Sequence, residues 1–233
     1  MTDLHTHILP GMDDGAPDVE TALRMLRMER EQGVETVALT PHFYCDDESV
    51  DSFLRRRRSA SEQLEEAISR LPGDEQRLLP HRILGAEVAW APHMDRWERL
   101  SELCYADSSY LLLELPFSAW STDLFRRLYE LMDRTGVTPV IAHIDRYWGR
   151  VDKRAMEELF CMGLPIQISA AAFTYWRTRC TALRLLRQRK VQLLISDAHG
   201  DTERTPDIGD AVKVIRRRGE ALYDALEAFC LLT

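Results

Sequence analysis

The chain has 233 residues, of which 45% are hydrophobic, and a formal net charge of -8. This length suffices for one domain with a sizeable core, and the acidic balance argues against general nucleic-acid binding. No apolar run reaches the roughly 18 residues of a membrane span, so we expect no membrane insertion. The first residues lack a signal-peptide pattern, and the five cysteines form no C-x-x-C pair. We therefore expect reduced thiols and a cytoplasmic protein.

Seven β-rich segments alternate along the chain with longer helical patterns. The predicted strands cover residues 2–7, 35–41, 82–89, 110–116, 138–143, 164–169 and 191–199. A helix is predicted over 18–33, with Gly33 close to its C-terminus. Another is predicted over 121–136, where Ser121 is the expected N-cap and Gly136 ends the helix.

This alternation indicates the fold class. Strands that alternate with helices predict parallel βαβ units. The nearly continuous apolar runs "LLLEL" and "VIA" are typical of strands that are buried on both faces. We expect an α/β barrel with seven or eight βα units, and an open doubly wound sheet is the second choice. Because the sequence contains no repeat and no linker, we predict a single domain over residues 1–233.

Side chains that bind metals stand at the ends of six predicted strands or inside them. They are His5, His7, His42, Glu87, Glu114, His143, Asp197 and His199. In parallel βα barrels the C-terminal ends of the strands carry the active site, and open α/β sheets also bind ligands there. We therefore expect these side chains to meet at one edge of the sheet.

The spacing within the motifs favours metal binding. Residues i and i+2 of a strand point to the same side, so His5 and His7 can reach one ion together, and Asp197 and His199 repeat the arrangement. A carboxylate inside an apolar strand, such as Glu87, is costly to bury unless it is paired or metal-bound. Imidazoles and carboxylates without a thiolate suit manganese, iron or zinc better than a closed structural zinc site.

Each feature also has a purely structural interpretation. A single strand-terminal histidine such as His42 or His143 is typical of a hydrogen-bonded core residue, and Glu114 alone would suit an ion pair with an arginine. The joint pattern favours a metal site over separate structural roles, because six predicted strands each offer a ligand. Four tryptophans follow strand ends, where they would either line a mouth for a flat aromatic ring or seal helices onto the sheet. They are Trp90, Trp120, Trp148 and Trp176.

The motifs "DLHTHILPGMDDGA", "TPHF", "GAEV", "LLLELP", "GVTPVIAHIDRY" and "SDAHG" occur in this order between residue 2 and about residue 210. Together they resemble the polymerase-and-histidinol-phosphatase (PHP) superfamily. More narrowly, "ILPGMDDGA" and "AHIDRY" resemble its bacterial capsule-type (CpsB/CapC-like), metal-dependent protein tyrosine phosphatases. The resemblance implies a distorted (β/α)7 barrel with three divalent metal ions, with manganese as the first choice and iron or zinc as alternatives.

The resemblance also implies how the ligands are divided among the ions. One ion would be held by His5, His7, Glu87 and Asp197. Glu87 would bridge to a second ion, which Glu114 and His143 complete. A third ion would be held by Asp14, His42 and His199. All nine positions carry suitable side chains, whereas the departures from the family pattern, at Asp145 and Gly200, affect no ligand.

The implied activity is hydrolysis of phosphotyrosine by a metal-bound hydroxide. The implied partner is a bacterial tyrosine autokinase that controls capsule or exopolysaccharide export. Arg146 and Arg204 follow ligand motifs directly, and a guanidinium pairs two phosphate oxygens, so we expect both to contact phosphate. Glu87 would act as a bridge and not as a base. A cysteine-based mechanism needs C-x5-R, but Cys180 is followed by Arg187, one residue too far.

Three other functions remain as alternatives. A small-molecule phosphomonoesterase such as histidinol phosphatase would use the same centre. An amidohydrolase also begins with H-x-H but often bridges its metals with a strand-end lysine, and none of the three lysines here, Lys153, Lys190 and Lys213, ends a predicted strand. The non-enzymatic alternative is a metal-loaded scaffold that binds phosphotyrosine without turnover.

Overall fold

The computed structural model describes residues 1–227 as a mixed α/β fold. Its strands are β1 (Thr2–Thr6), β2 (Thr36–Leu39), β3 (His42–Phe43), β4 (His81–Leu84), β5 (Glu87–Ala89), β6 (Tyr110–Glu114), β7 (Thr138–Ile141), β8 (Gln167–Ser169) and β9 (Leu193–Ile195). Its α-helices are α1 (Val19–Glu31), α2 (Val50–Ser69), α3 (Gly73–Leu78), α4 (Thr122–Thr135), α5 (Lys153–Cys161), α6 (Ala170–Thr174), α7 (Arg179–Arg187), α8 (Ile208–Arg216) and α9 (Glu220–Glu227). Short 3-10 helices cover Met94–Arg96, Leu100–Leu103 and Ile144–Tyr147.

The strands form three parallel sheets. Their orders are β1-β2-β4, β3-β5-β6-β7 and β8-β9. Two isolated parallel bridges link these sheets, one between Thr6 and Ala198 and one between Ile141 and Ile166. The C-terminal ends of strands from all three sheets therefore face the same region, as the predicted βαβ units require.

Two of the predicted strands are interrupted. The segment 35–41 forms β2 and β3, and the segment 82–89 forms β4 and β5. Pro41 has no backbone N–H for a ladder, and Gly85 sits so close to the Tyr105 ring that an added Cβ would lie 3.0 Å from it. The last predicted strand, 191–199, ends at Ile195, because Asp197 adopts a positive φ of 55° that a regular strand does not allow.

The two helices predicted in detail are confirmed, with small changes at their ends. In α1 the Asp18 side chain accepts a hydrogen bond from the Thr21 N–H at 2.8 Å, and Gly33 follows the helix with a φ of 87°. In α4 the N-cap is Ser121, as expected, although its side chain makes no capping hydrogen bond. Gly136 ends α4 in the left-handed conformation, with a φ of 69°.

The strands are buried on both faces, as their apolar runs predicted. One group of buried side chains lies on the inner face of the strands, among them Leu4, Ala38, Leu112, Val140 and Ile195. A larger buried cluster packs the helices against the outer face.

No helix within residues 1–227 is long and apolar enough to cross a membrane. Four of the cysteines are free thiols, and Cys230 lies outside the described residues.

Three carboxylates from separate elements influence one another beside the amino-terminal half of β1: Asp3 of β1, Glu29 of α1 and the partly buried Asp207. Asp3 and Glu29 are fully buried, and Ser196 connects them: its N–H donates to Asp3 at 3.1 Å and its hydroxyl to Glu29 at 3.4 Å. Asp207, which precedes α8, has a buried Oδ1 with no hydrogen-bond partner in the described part of the chain. Burial and the charge of Asp3 raise the pKa of Asp207 to about 7.

A raised pKa means that Asp207 lowers the stability of the fold once it ionises. The resulting decrease in the free energy of unfolding grows as the pH rises from the ordinary pKa of 3.8 to the pKa of about 7 in the folded protein. Above that pH the decrease is constant. We expect Asp207→Asn to raise the free energy of unfolding by about 2 kcal/mol at pH 8, and by less at pH 5.5. Urea titrations at both pH values measure this. The control is Asp210→Asn, an exposed position in α8, and an equal gain at both pH values would contradict the expectation.

Candidate metal centre

The nine predicted ligands lie together at the C-terminal ends of the strands. His5 belongs to β1, His42 begins β3, Glu87 begins β5 and Glu114 ends β6. The others lie in the segments that follow β1, β7 and β9, and they are His7, Asp14, His143, Asp197 and His199. Parallel strands bring these chain segments, distant in sequence, to one edge.

Candidate ligand atoms fall into three adjoining groups, and within each group they lie within 4.8 Å of one another. The first group contains His5, His7 and Glu87. The second contains Glu87, Glu114 and His143. The third contains His7, Asp14, His42 and His199. Glu87 and His7 each belong to two groups, so the three are continuous.

These groups differ from the predicted ligand sets in two respects. Asp197 was expected with His5 and His7, and its Oδ1 lies 3.6 Å from the Nε2 atom of each, just outside the first group. His7 also joins the third group, where its ring stacks on His199 with 3.8 Å between centroids. Asp14, with 66% of its side chain exposed, is the most open of the nine. It lies 3.5 Å from His199 Nε2.

Glu87 stands at the middle of the cluster and is only 1% exposed. Its Oε2 lies 3.1 Å from His5 Nε2 and 2.9 Å from His42 Nδ1, and its Oε1 lies 2.8 Å from His143 Nε2. Burial by itself would raise the pKa of Glu87, but the charge of His5, the hydrogen bond with His143 and the close approach of His42 outweigh it and hold the pKa well below its usual range. Glu87 is therefore an anion with both oxygens turned towards nitrogen ligands.

Several buried polar atoms of the cluster have no hydrogen-bond partner among the described residues. They are Glu87 Oε2, Asp197 Oδ1, His42 Nδ1, His143 Nδ1 and His199 Nε2. Such an atom costs about 1–3 kcal/mol when nothing satisfies it. Divalent cations would accept these lone pairs, and a set of imidazoles and carboxylates suits manganese, iron or zinc. The residues therefore fit a metal centre.

The protonation of His7 shows how strongly the centre attracts positive charge. Burial opposes a charge on this imidazole, but the hydrogen bond with Asp13 and the close approach of the Glu87 carboxylate outweigh burial and raise its pKa to about 10. Protons and metal ions therefore compete for the same nitrogen atoms.

Two residues that the sequence analysis did not select orient the histidines. Asp13 Oδ2 lies 2.7 Å from His7 Nδ1 and accepts from the backbone N–H of His42 at 2.9 Å. Gln167 Oε1 lies 2.9 Å from His5 Nδ1. Partners of this kind fix the ring and leave the other nitrogen free to bind metal. The available signals were the first aspartate of "MDDG" and a buried amide within the apolar strand "LPIQIS".

The loop after β1 depends on a glycine. It folds back so that the Ala16 N–H donates to the His7 carbonyl at 2.9 Å, and a Cβ on Gly15 would lie 2.0 Å from that carbonyl oxygen. The Gly15 N–H donates to Asp13 Oδ1 at 3.0 Å. Only glycine allows this approach, which brings both aspartates of the loop to the histidines.

Three residues of the site adopt left-handed backbone conformations. The φ angles are 24° at His143, 55° at Asp197 and 48° at Arg204. Such conformations are costly for residues other than glycine, and they cluster at functional sites. Here they turn two ligands and an arginine towards the same region, in the segments that follow β7 and β9.

Both predicted phosphate-binding arginines converge on one carboxylate oxygen. Arg146 Nη2 and Arg204 Nη2 donate to Asp197 Oδ2, the latter at 3.2 Å. The other oxygen, Oδ1, faces His5 and His7. The side chains of Arg146 and Arg204 are 33% and 42% exposed, so donor groups remain accessible for an anion beside the cluster.

Exposed aromatic rings stand next to two of the ligands. Tyr44 stacks on His42 with 5.4 Å between centroids and lines a cavity of about 330 Å³ together with Asp14. Phe117 lies parallel to His143. The expected tryptophans have other positions: Trp120 is buried and donates to the Pro116 carbonyl, whereas Trp90 and Trp148 are half-buried against the core. Trp176 is exposed.

The fold and this site define an α/β protein with a candidate multinuclear metal centre that is bordered by arginines. The model of the family described as "Capsular polysaccharide synthesis, CpsB/CapC" matches residues 1–228, and the chain belongs to this family. The resemblance drawn from the motifs is therefore confirmed.

Several relatives carry a function in their names. The tyrosine-protein phosphatase YwqE of Bacillus subtilis is 29% identical over 228 residues, which cover 93% of this chain and 84% of YwqE. The tyrosine-protein phosphatase CpsB of Streptococcus pneumoniae is 26% identical, and the match covers 94% of this chain and 90% of CpsB.

A solved structure has the same fold. It comes from work on YwqE of Bacillus subtilis and CpsB of Streptococcus pneumoniae, described there as unique metal-dependent tyrosine phosphatases. Its TM-score is 0.79 at 24% identity, and the match covers all of this chain and 96% of the other.

Proposed function

We propose that this protein is a metal-dependent phosphotyrosine-protein phosphatase. The observation that carries the proposal is the pair Arg146 and Arg204, which meets on Asp197 at the edge of a buried imidazole–carboxylate cluster. A phosphate monoester is a dianion, and such a site combines ligands for cations with donors for phosphate oxygens. The tyrosine-protein phosphatases among its relatives support the same activity.

Each part of the site has its own role in this proposal. The nine ligands would hold the cations, and Glu87, which belongs to the first two groups, would serve both. Bound divalent ions would supply a nucleophile from water at neutral pH and neutralise charge on the phosphate. Arg146 and Arg204 orient the phosphate through its other oxygens. Asp13 and Gln167 keep the imidazoles of His7 and His5 in place.

We also propose three divalent ions, with manganese as the first choice and iron or zinc as alternatives. The three adjoining groups of ligand atoms support this number, and oxygen and nitrogen donors without thiolate support these metals. Our proposed assignment keeps Asp197 with His5 and His7, because its unpartnered Oδ1 faces both.

For the architecture we propose one domain over residues 1–233, built as a distorted (β/α)7 barrel. The strand neighbours support a closed ring, since β3 continues β2, β5 continues β4 and the two isolated bridges join the remaining sheet edges. The side chains buried inside the strands would then fill the barrel.

The proposed partner is a phosphotyrosine protein, specifically a bacterial tyrosine autokinase that acts in capsule or exopolysaccharide regulation. The capsular polysaccharide family supports this context. A cytoplasmic location and the lack of nucleic-acid binding stay predictions from the sequence.

Chelation tests the metal dependence of the proposed activity. We expect EDTA to abolish hydrolysis of a phosphotyrosine peptide and Mn²⁺ to restore it, because the ligands alone supply no nucleophile. Alkylation of cysteines should change the rate little, since no cysteine belongs to the ligand groups. The assay is phosphate release, with metal content measured in parallel. Bound metal without turnover would indicate the scaffold, and loss of activity on changing all five cysteines to serine, with metals retained, would contradict the proposal.

A further inference from the structure

The loops after β6 and β7 also carry Phe117 and Arg150, two residues beside the second ligand group that the proposed phosphate contacts do not use. Phe117 follows Glu114 by three residues and is 42% exposed. Its ring nevertheless lies parallel to the buried imidazole of His143, with 9° between the planes and 6.3 Å between the centroids. Part of an apolar ring is therefore open to solvent directly beside the cluster.

This ring rests on a fixed base. Tyr147 packs against Phe117, with 5.1 Å between centroids and 24° between planes. Tyr147 is fully buried, its hydroxyl donates to the Leu115 carbonyl at 2.9 Å, and Trp120 packs on it at 4.9 Å. A ligand ring that binds against Phe117 would therefore meet an ordered surface, which reduces the entropic cost of binding.

A cation that has no carboxylate partner among the described residues lies at the same place. The guanidinium of Arg150 is 5.5 Å from the centre of the Phe117 ring, and Arg150 is exposed. Within residues 1–227 it makes no ion pair, in contrast to Arg146 and Arg204, which both pair with Asp197. The protein as a whole has a net charge of -8, so an unpaired arginine at this edge is available to an anionic ligand.

We propose that Phe117 and Arg150 form a subsite for a phosphotyrosine that has an acidic residue as its neighbour in the peptide. The tyrosyl ring packs against Phe117, and the neighbouring carboxylate pairs with Arg150. Aromatic rings attract one another in offset or edge-to-face pairs, which favours contact between the tyrosyl ring and Phe117. Charge complementarity with Arg150 favours peptides that carry the acidic neighbour. The inference rests on the proposed phosphatase function and names the substrate class of that same site.

Phe117 is tested by separating ring binding from phosphate binding. Phe117→Ala should raise KM about two- to tenfold for phenyl phosphate and for a phosphotyrosine peptide, with a smaller change in kcat. Phe117→Leu, which keeps apolar volume but not the flat face, should lie between alanine and wild type. Inhibition by inorganic phosphate and the metal content should change little, because neither depends on the ring. The matched control is Tyr129→Ala, an exposed aromatic residue on α4.

Arg150 is tested with two phosphotyrosine peptides that differ only in aspartate or alanine beside the phosphotyrosine. Wild type should favour the aspartate peptide up to about fivefold in KM, the effect of one exposed ion pair, and added salt should weaken this preference. Arg150→Ala should remove it. Arg184→Ala, which removes an exposed arginine from the last turn of α7, should retain it.

The outcomes distinguish the two levels of inference. If wild type with bound metal hydrolyses neither phenyl phosphate nor the peptides, the proposed function is wrong. If it hydrolyses both but Phe117→Ala keeps the wild-type KM while Tyr44→Ala raises it, the ring binds against Tyr44 and the Phe117 subsite is wrong. Equal KM values for the two peptides in wild type would overturn the role of Arg150.

Discussion

Replacing Glu87 by glutamine should remove metal and activity together, with a loss of at least about tenfold in each. The amide keeps the size of the carboxylate but loses its charge and presents an NH₂ group in place of one oxygen. Because Glu87 belongs to two ligand groups, we expect the effect to reach more than one ion. Metal analysis of the purified variant and phosphate release from a phosphotyrosine peptide measure both losses.

The matched control is Glu29→Gln, the same chemical change at an equally buried carboxylate outside the ligand groups. It should keep its metal content. Full metal occupancy with wild-type turnover in Glu87→Gln would show that Glu87 is no ligand. A folded Glu87→Gln that retains metal but loses turnover would also contradict the bridging role, and would favour a direct part in the reaction.

Replacing Arg146 by alanine should lower kcat/KM. The loss should correspond to about 2–4 kcal/mol of transition-state stabilisation, the effect of removing one electrostatic stabiliser. Its guanidinium reaches Asp197 at the edge of the cluster, from which it would hold phosphate oxygens in the ground state and in the transition state. KM should therefore rise and kcat should fall. Arg146→Lys should recover only part of the loss, because an ammonium group lacks the planar fork, and metal content should stay unchanged.

A comparison of aryl and alkyl phosphates as substrates gives a second test of the proposed site. A tyrosyl leaving group is a phenol with a pKa near 10, whereas the alcohol of histidinol leaves far less readily without a positioned acid. A site that acts through cations and arginines should therefore hydrolyse phosphotyrosine peptides and aryl phosphates well and histidinol phosphate poorly. Faster hydrolysis of histidinol phosphate, or an Arg146→Ala enzyme with wild-type kinetics, would count against the proposed site.

The sequence predicted the parallel α/β class and the approximate positions of the strands, since apolar runs between helices follow simple periodicities. It did not predict where the strands are interrupted. The break at Pro41 involves a missing N–H, which is visible in the sequence. The break near Gly85 depends on the Tyr105 ring, which comes from a distant part of the chain. Contacts of that kind have no local signal.

The site was easier to predict than its supporting contacts. Histidines and carboxylates at strand ends are distinctive, whereas the role of Asp13 depends on a turn that closes over His7 at Gly15. Two adjacent aspartates look equivalent until that turn is known. The aromatic residue beside the ligands is another example: the tryptophans drew attention because of their size, but packing buries Trp120 and leaves the smaller Phe117 exposed.

The bridge between Thr6 and Ala198 has a consequence for how the protein acquires its metals during synthesis. The histidines on one side of this bridge, His5 and His7, leave the ribosome long before Asp197 and His199 on the other side. A nascent chain therefore carries isolated histidines, which bind divalent ions according to general affinity and availability. The chain can discriminate among metals by geometry only after these distant segments have met, so selection of the correct ion requires that the segment after β9 has paired with the end of β1.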